Sequence, residues 1–513
     1  MNPSQKTAAQ PEQGKAPFEP RSIKPLFEPG KGQAQKVTHG SIEATLGRAG
    51  FTEFQLGAIY YGNWLRDYSQ VLDQKLVRAI GTPKNFPDVL SREALTKIVD
   101  ILAVREFTGL MTADRQHFTV TPEKLGVYRP SEHLDNPKPA NDKRTDPQSI
   151  DADFEDWVAP GDASLQVDPE TSMKRYLQRG VDFMTAELNL ARQAGPESAD
   201  GLRAFGSGLH VLEDFFAHSN FVELSLRKMG YSDVLPWTSS ANCKHGLPLV
   251  TGTFGGTDII ASLAAPLSKI LFSTDDKPFE VTQPGVRYER DQIIQILLSE
   301  HPDPKWYDAH EAFLSARDKW ANLPFAAKVE QILNVIGTPG RIVSNAIGTA
   351  MQGLSTLLGN SVDDVQTRLG EDPNTSGSTD PSHSQLTKDH AEHPLHQLAA
   401  LLAETAVLRV GQAMLGQWEQ KTEAQDPAET AAQYFTHPMD TDWQDALVRE
   451  WAKNNPSLVK RAASKSDLDK LHKEVQKSAE KALDRFKSES SSFLSKFFEI
   501  NSFQDVWNLL TGK

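Results

Sequence analysis

Residues 205–224, FGSGLHVLEDFFAHSNFVEL, constrain the fold more than any other stretch of the chain. Wound as a helix at 3.6 residues per turn, they put His210, Asp214 and His218 at i, i+4 and i+8, close to one face. Leu209, Leu212, Phe215 and Phe216 occupy much of the remaining circumference, which predicts a helix buried nearly all round. A polar ridge on such a helix survives only if its members are paired or bind a metal. Two neutral imidazoles and a carboxylate suit a divalent cation such as zinc, which takes histidine nitrogen and carboxylate oxygen where no thiolate is offered. The alternative for each histidine taken singly is an ordinary hydrogen-bonded core residue. Ala204, Gly206, Gly208 and Ala217 are small enough to let another helix approach closely.

Thiolates are in effect absent, since Cys243 is the single cysteine of 513 residues; an internal disulfide and a cysteine-based zinc knuckle are both ruled out. The net charge of -14 disfavours a non-specific nucleic-acid binder. The opening MNPSQKTAAQPEQGKAPFEP lacks the apolar core of a secretory signal, so residues 1–36 read as a disordered polar tail. The expectation is a cytoplasmic protein or one secreted in a single step. The best apolar run, IIASLAAPLSKILF from Ile259, is short and interrupted, which predicts no transmembrane helix.

Two further units follow the tail: a domain over 37–416 and a helical extension over 417–513. The domain opens on VTHGSIEATLGRAG, with Thr38 or Ser41 as a helix cap and His39 at the entrance. Residues 51–80 predict a long buried helix or a helix pair, on which Asn63, Arg66, Asp67 and Gln70 form a polar stripe. Asp67 is then either paired, with Arg66 or another cation, or a ligand. Residues 91–110 and 172–192 also have helical patterning. Between them lies a long polar connection containing EHLDNP, where Asp135 and Pro137 supply turn chemistry that aims His133. LPLVTGTF (247–254) is the best strand candidate, and helices are predicted at 257–271, 289–299 and 307–320. Residues 325–369 are amphipathic, broken by Pro339, and read as core rather than as a lipid-facing surface. Beyond a breaker-rich linker, a helix starting near Ser382 would put His383 and His390 two turns apart on one face, with Asp389 beside the latter. Pro394 moves His393 and His396 onto the next helix, where they are expected to face solvent. In the extension, Leu468, Leu471, Val475, Ala479, Leu483 and Phe486 recur at three- and four-residue intervals. That amphipathic helix and the aromatic end after it either dock back on the domain or meet a partner or bilayer.

The blocks WLRDYSQ, YRPSEHLDNP, HVLEDFFAHSNFVEL, LVTGTF and SHSQLTKDH, spanning roughly residues 37–400, resemble the heterokaryon-incompatibility Het-C family in the same order. The order of His and Asp residues is also similar to that of zinc-dependent phospholipases C and single-strand-specific zinc nucleases, α-helical enzymes with a trinuclear zinc site. The resemblance implies a mainly α protein: a helical zinc-phospholipase-C-like domain with long loops and the C-terminal helical extension. It implies a metal-ligand order of His39, Asp67, His133, His210, Asp214, His218 and His383, with His390 or Asp389 as the last companion, holding two or three zinc ions. Asp67 would bridge metals and orient or deprotonate the attacking water, while Glu213 and Asp135 would fix imidazole tautomers. Those enzymes also use the free amine of an N-terminal tryptophan. Here Trp64 follows the first histidine, so either the tail is removed or a side chain takes the place of the amine. The late HxxxE pattern of the small enzymes is absent.

The function implied is a metal-dependent phospholipase C, a hydrolase that cleaves the phosphodiester of glycerophospholipids such as phosphatidylcholine with a metal-activated water. Its partner would be phospholipid or a membrane surface, not nucleic acid. An enzymatic alternative is a zinc phosphodiesterase acting on single-stranded nucleic acid, which would want a basic or base-stacking cleft. A non-enzymatic alternative is a toxin or interaction module whose histidines and aspartates hold structural metal.

Overall fold

The histidine-rich stretch forms a single helix, Ala199–His218, opened by Ser198, whose side chain accepts the Gly201 N–H. The computed structural model describes residues 37–137, 146–254, 256–272, 284–320, 338–360 and 372–498. The 1–36 tail, the side chain of Ala479 and the aromatic end beyond 498 lie outside the described residues, as do parts of the 325–369 stretch. Around this central helix pack Glu53–Ser69, Leu177–Ala194 and His396–Trp418. Small residues set the closest approach. A methyl group on Gly206 would collide with the Ile59 carbonyl, and one on Gly62 with that of Arg203. The two helices therefore meet backbone to backbone, which lays Asn63 and Asp67 alongside His210 and Asp214.

The fold is mainly α, as expected. The predicted helices appear as Glu53–Ser69, Arg92–Glu106, Leu177–Ala194, Gly256–Leu271, Glu289–Ser299 and Lys305–Trp320. The strand expected at 247–254 is a correction: among the described residues no sheet forms, and this segment makes single bridges, Leu249 to Met173, Thr251 to Ser219 and Thr253 to Ser382. Its partners are separate loops rather than another strand. Gly252 O accepts the Asn136 N–H at 2.8 Å and Thr253 O accepts the His383 N–H at 2.9 Å. Val250 O accepts the Asn220 N–H at 3.2 Å. The extended segment thus ties together the stretches that carry His133, His218 and His383.

A second group of helices comprises Gly256–Leu271, Glu289–Ser299, Lys305–Trp320 and Thr338–Asn360, with Pro339 accommodated at the start of the last, where its missing N–H costs nothing. Val343, Ala346, Ile347, Ala350, Met351, Leu354 and Leu358 of that helix are buried, so its described part is core. The long helix Lys465–Phe498 packs against it and against Gly256–Leu271. Its Leu483 and Phe486 join the main apolar cluster, and Leu468 and Leu471 nearer its start are buried too, so the extension docks back on the chain. One continuous apolar cluster runs from Ile42 to Phe486. The His396–Trp418 helix crosses residues 416 and 417, and Trp418 meets the rings of Phe51 and Phe205. That helix is also long and apolar enough to cross a membrane, but in this fold its Leu398, Leu402, Val407, Val410 and Met414 are buried in the core.

Candidate metal centre

The ridge on the central helix faces inward. His210 and Asp214 are wholly buried and His218 is nearly so. His210 Nε2 lies 3.0 Å and His218 Nδ1 3.5 Å from Asp214 Oδ2. Four other segments bring residues to this ridge. Thr38 caps the short helix His39–Glu43, and the capped turn holds His39 with Nε2 3.7 Å from Asp214 Oδ1. Glu53–Ser69 contributes Asp67. The turn Pro130–His133, closed by Leu134 in the left-handed region (φ 55), buries His133 with Nδ1 3.8 Å from Asp214 Oδ2. His383 begins the one-turn helix His383–Leu386, where the Ser382 N–H donates to Gln385 Oε1, and Asp389 follows.

These residues converge as three groups whose ligand atoms lie within 4.8 Å of one another: His39, Asp67 and His210; His133, His210 and Asp214; His218, His383 and Asp389. His210 is shared by two groups, and Asp214 touches members of all three. Neither Asp214 oxygen is hydrogen-bonded, although the side chain is fully buried. A buried carboxylate surrounded by imidazoles at ligand-to-ligand spacing, yet aligned with none of their N–H groups, is what a divalent ion with bonds of roughly 2.0–2.2 Å requires. The donor set therefore fits zinc or a similar cation.

Hydrogen bonds on the far side of the rings select which nitrogen faces the centre. His210 Nδ1 donates to Asn63 Oδ1 at 3.0 Å, which puts the lone pair on Nε2, the nitrogen that faces His133 Nδ1 and Asp214 Oδ2, each 3.0 Å away. His39 Nδ1 is 2.6 Å from Glu213 Oε2 and His383 Nδ1 is 3.1 Å from Asp135 Oδ1, so both offer Nε2. Ser69 Oγ spends its hydrogen on Arg66 O at 2.7 Å and so accepts from His133 Nε2 at 3.2 Å; the lone pair is then on Nδ1, which faces Asp214 and lies 3.2 Å from the Gln70 amide nitrogen and 3.0 Å from His210 Nε2. Glu213 and Asp135 are thus each hydrogen-bonded to the ring of a histidine in the three groups.

The electrostatics are those of paired charges under burial. Burial works to raise the Asp214 carboxyl, but the imidazoles of His210 and His218 outweigh it and hold the group well below the usual carboxylate range. Asp389 is likewise held down against burial, by His218. Burial pushes His218 down, yet Asp214 and Asp389 carry it well above its ordinary value; burial prevails at His210, which is lowered. Glu213 is pushed up to about 7 by burial, with His39 opposing.

Two expectations are corrected. His390 falls outside all three groups: the helix ends at Leu386, so residue 390 never returns to the face of His383, and Asp389 takes the companion position. His390 instead interacts with His393 and His472. His393 and His396, expected in solvent, are both buried, each with 4% of its surface exposed. Arg66 pairs with Glu132 and the carbonyls of Lys124 and Leu125, so it is not the partner of Asp67. Glu43, one helical turn beyond His39, carries no signal in the residue spacing, yet it is buried and accepts from Asn63 Nδ2 at 3.0 Å.

Residues 32–275 match the family described as heterokaryon incompatibility protein Het-C. That span contains His39, Asp67, His133, His210, Asp214 and His218, whereas His383 and Asp389 lie beyond it. Comparison with curated proteins and with solved structures gives no match.

Proposed function

Residues 32–275 make this a chain of the Het-C family, and from that premise we propose that it is a metal-dependent phosphodiester hydrolase of the phospholipase C type, using two or three zinc ions. The observation that carries the reading is Asp214, a fully buried carboxylate without a hydrogen bond at the meeting point of three His/Asp groups. His39, Asp67, His133, His210, Asp214, His218, His383 and Asp389 would hold the ions, with Asp214 rather than Asp67 as the shared carboxylate. When bound, such ions polarise a phosphodiester and lower the pKa of water.

The protein's own groups supply position and proton handling. Asn63, Glu213, Asp135 and Ser69 orient the rings, and Asp214 is locked among them. His133, His210 and Asp214 are closed off from solvent, whereas His39, Asp67 and Asp389 keep partial exposure. Asp67 is one of the partly exposed carboxylates, and in this reading it accepts a proton from the water that attacks phosphorus. Phe254, stacked on Tyr128 at 4.6 Å and 6.0 Å from the His383 ring, gives the neighbourhood an apolar wall. The Thr338–Asn360 helix turns its apolar residues to Lys305–Trp320 and Lys465–Phe498, so Phe254 and Tyr128 are better candidates to receive acyl chains. The net charge of -14 favours a lipid over a polyanionic nucleic acid.

The test is elemental analysis of the purified protein together with release of phosphorylated head group from phosphatidylcholine, for wild type and Asp214→Ala. Two or more zinc ions per chain, with turnover abolished by the substitution, is the expected result. A metal-free protein that gains no turnover on adding zinc would overturn it. Cleavage of single-stranded nucleic acid in place of lipid would transfer the same centre to a different substrate.

A further inference from the structure

We infer that His396 is a positioning residue that clamps the first and last candidate ligands, His39 and Asp389, onto one centre; the inference rests on the metal-centre reading above. Its ring is buried at the first position of the His396–Trp418 helix. Nδ1 lies 2.6 Å from Lys388 O, and a carbonyl only accepts, so Nδ1 carries the hydrogen. Nε2 therefore presents its lone pair, and it accepts the Val37 N–H at 3.0 Å, across 359 residues of sequence.

Both partners are backbone groups of irregular segments next to candidate ligands. The Lys388 carbonyl belongs to the residue before Asp389, and the Val37 amide lies two residues before His39. Neither segment has a helix or sheet to satisfy these groups, so the imidazole supplies the bonds that regular structure would. Lys388 is anchored in turn to the end of the central helix. Its N–H donates to Ala217 O at 3.1 Å, and its Nζ donates to Ser219 O at 2.8 Å and pairs with Glu223 Oε1 at 3.1 Å. The chain of contacts Val37, His396, Lys388, Ala217 thus runs behind the centre and joins the segments carrying His39, Asp389 and His218. A rigid ring with a donor on one side and an acceptor on the other makes both connections at once. A leucine makes neither, and a glutamine amide retains both functions.

The test uses zinc alone as the probe on the full-length chain. Wild type, H396L, H396Q and L402A are stripped with chelator, melted metal-free, and titrated with zinc by equilibrium dialysis. Leu402 is a buried core residue of the same helix, so L402A lowers stability while leaving both hydrogen bonds of the His396 ring in place. The expected result is about tenfold weaker binding of at least one ion in H396L, recovery in H396Q, and wild-type binding in L402A. Should H396L not fold, V37P removes the same N–H while leaving the ring, and the same weakening is expected. Wild-type zinc affinity in H396L or V37P, or an equal loss in L402A, overturns the clamp while leaving the metal centre standing. Absence of zinc binding by the wild type itself removes both.

Discussion

Asp135 Oδ1 lies 3.1 Å from Nδ1 of His383, although 248 residues separate them in sequence. The other oxygen of the same carboxylate accepts the Tyr128 hydroxyl at 2.9 Å. One buried acid therefore sets the tautomer and the plane of a ring facing His218 and Asp389. Asp135→Ala should weaken zinc binding about 10- to 100-fold, the usual penalty for releasing a ligand's orienting partner. Asp135→Asn keeps an acceptor oxygen and should lose less. Zinc titration of the two variants checks the order, and equal affinity in Asp135→Ala and wild type would refute the role.

Gly206 faces backbone whereas Gly208 faces side chains, so the two glycines of the central helix should not respond alike. A methyl on Gly206 meets the Ile59 carbonyl and the Asn63 amide, groups held by their own helix, and the helices must separate. On Gly208 it meets mainly the side chain of Leu188 at 3.0 Å, which can yield. Gly206→Ala should cost about 2–3 kcal/mol and lower the melting temperature, with a smaller loss for Gly208→Ala. Since Gly206 also sets the distance from Asn63 to His210, Gly206→Ala should weaken zinc binding as well. Paired thermal melts and zinc titrations separate the two effects.

Residue spacing was enough to read the central helix, its one-faced ridge and most of the other helices, because these depend on local periodicity. It failed where a partner distant in sequence decides the structure. Lys388 is drawn to the carbonyl end of the central helix, so the helix of His383 stops after one turn and Asp389, not His390, reaches the centre. His396 is buried because Val37 and Lys388 need its two nitrogens, and neither contact leaves a periodic trace. The 247–254 segment has strand composition, but it spends its hydrogen bonds on separate loops. Glu43 and Asn63 form part of the site through a contact between helices made possible by Gly62 and Gly206, which sequence spacing alone does not reveal.

Acid should destabilise this fold through histidines remote from the centre. Burial lowers His310 and His437 to about 4, against 6.5 when unfolded. Between those values the unfolded chain binds more protons, so stability is full above pH 6.5 and declines as pH falls towards 4. Each group accounts for up to about 3 kcal/mol across that window. His310 Nδ1 makes no hydrogen bond, so His310→Leu removes the titration at little cost and should flatten the profile. Urea midpoints at pH 7, 6 and 5, measured in chelator, provide the check. A slope unchanged by the substitution would mean that His310 takes up its proton as readily folded as unfolded.

Phe486 tests what the long C-terminal helix does for the second helical group. Its side chain is fully buried and meets Phe272 at 5.2 Å, while Leu483 beside it is also buried. The helix packs on two others, whose buried residues include Leu263, Leu267, Ile270 and Leu271 on one and Ile347, Met351, Leu354 and Leu358 on the other. Phe486→Asp would bury an unpaired carboxylate, which costs several kcal/mol unless the helix lifts away. Lifting would uncover those residues, so the variant should bind a hydrophobic dye, melt at a lower temperature and self-associate. The candidate ligands lie on other segments, and Leu468, at the near end of the same helix, packs separately against Trp237, Val250 and Leu386. Zinc stoichiometry should therefore stay at the wild-type value. A loss of zinc alongside the dye binding would show instead that the helix and the centre form one cooperative unit.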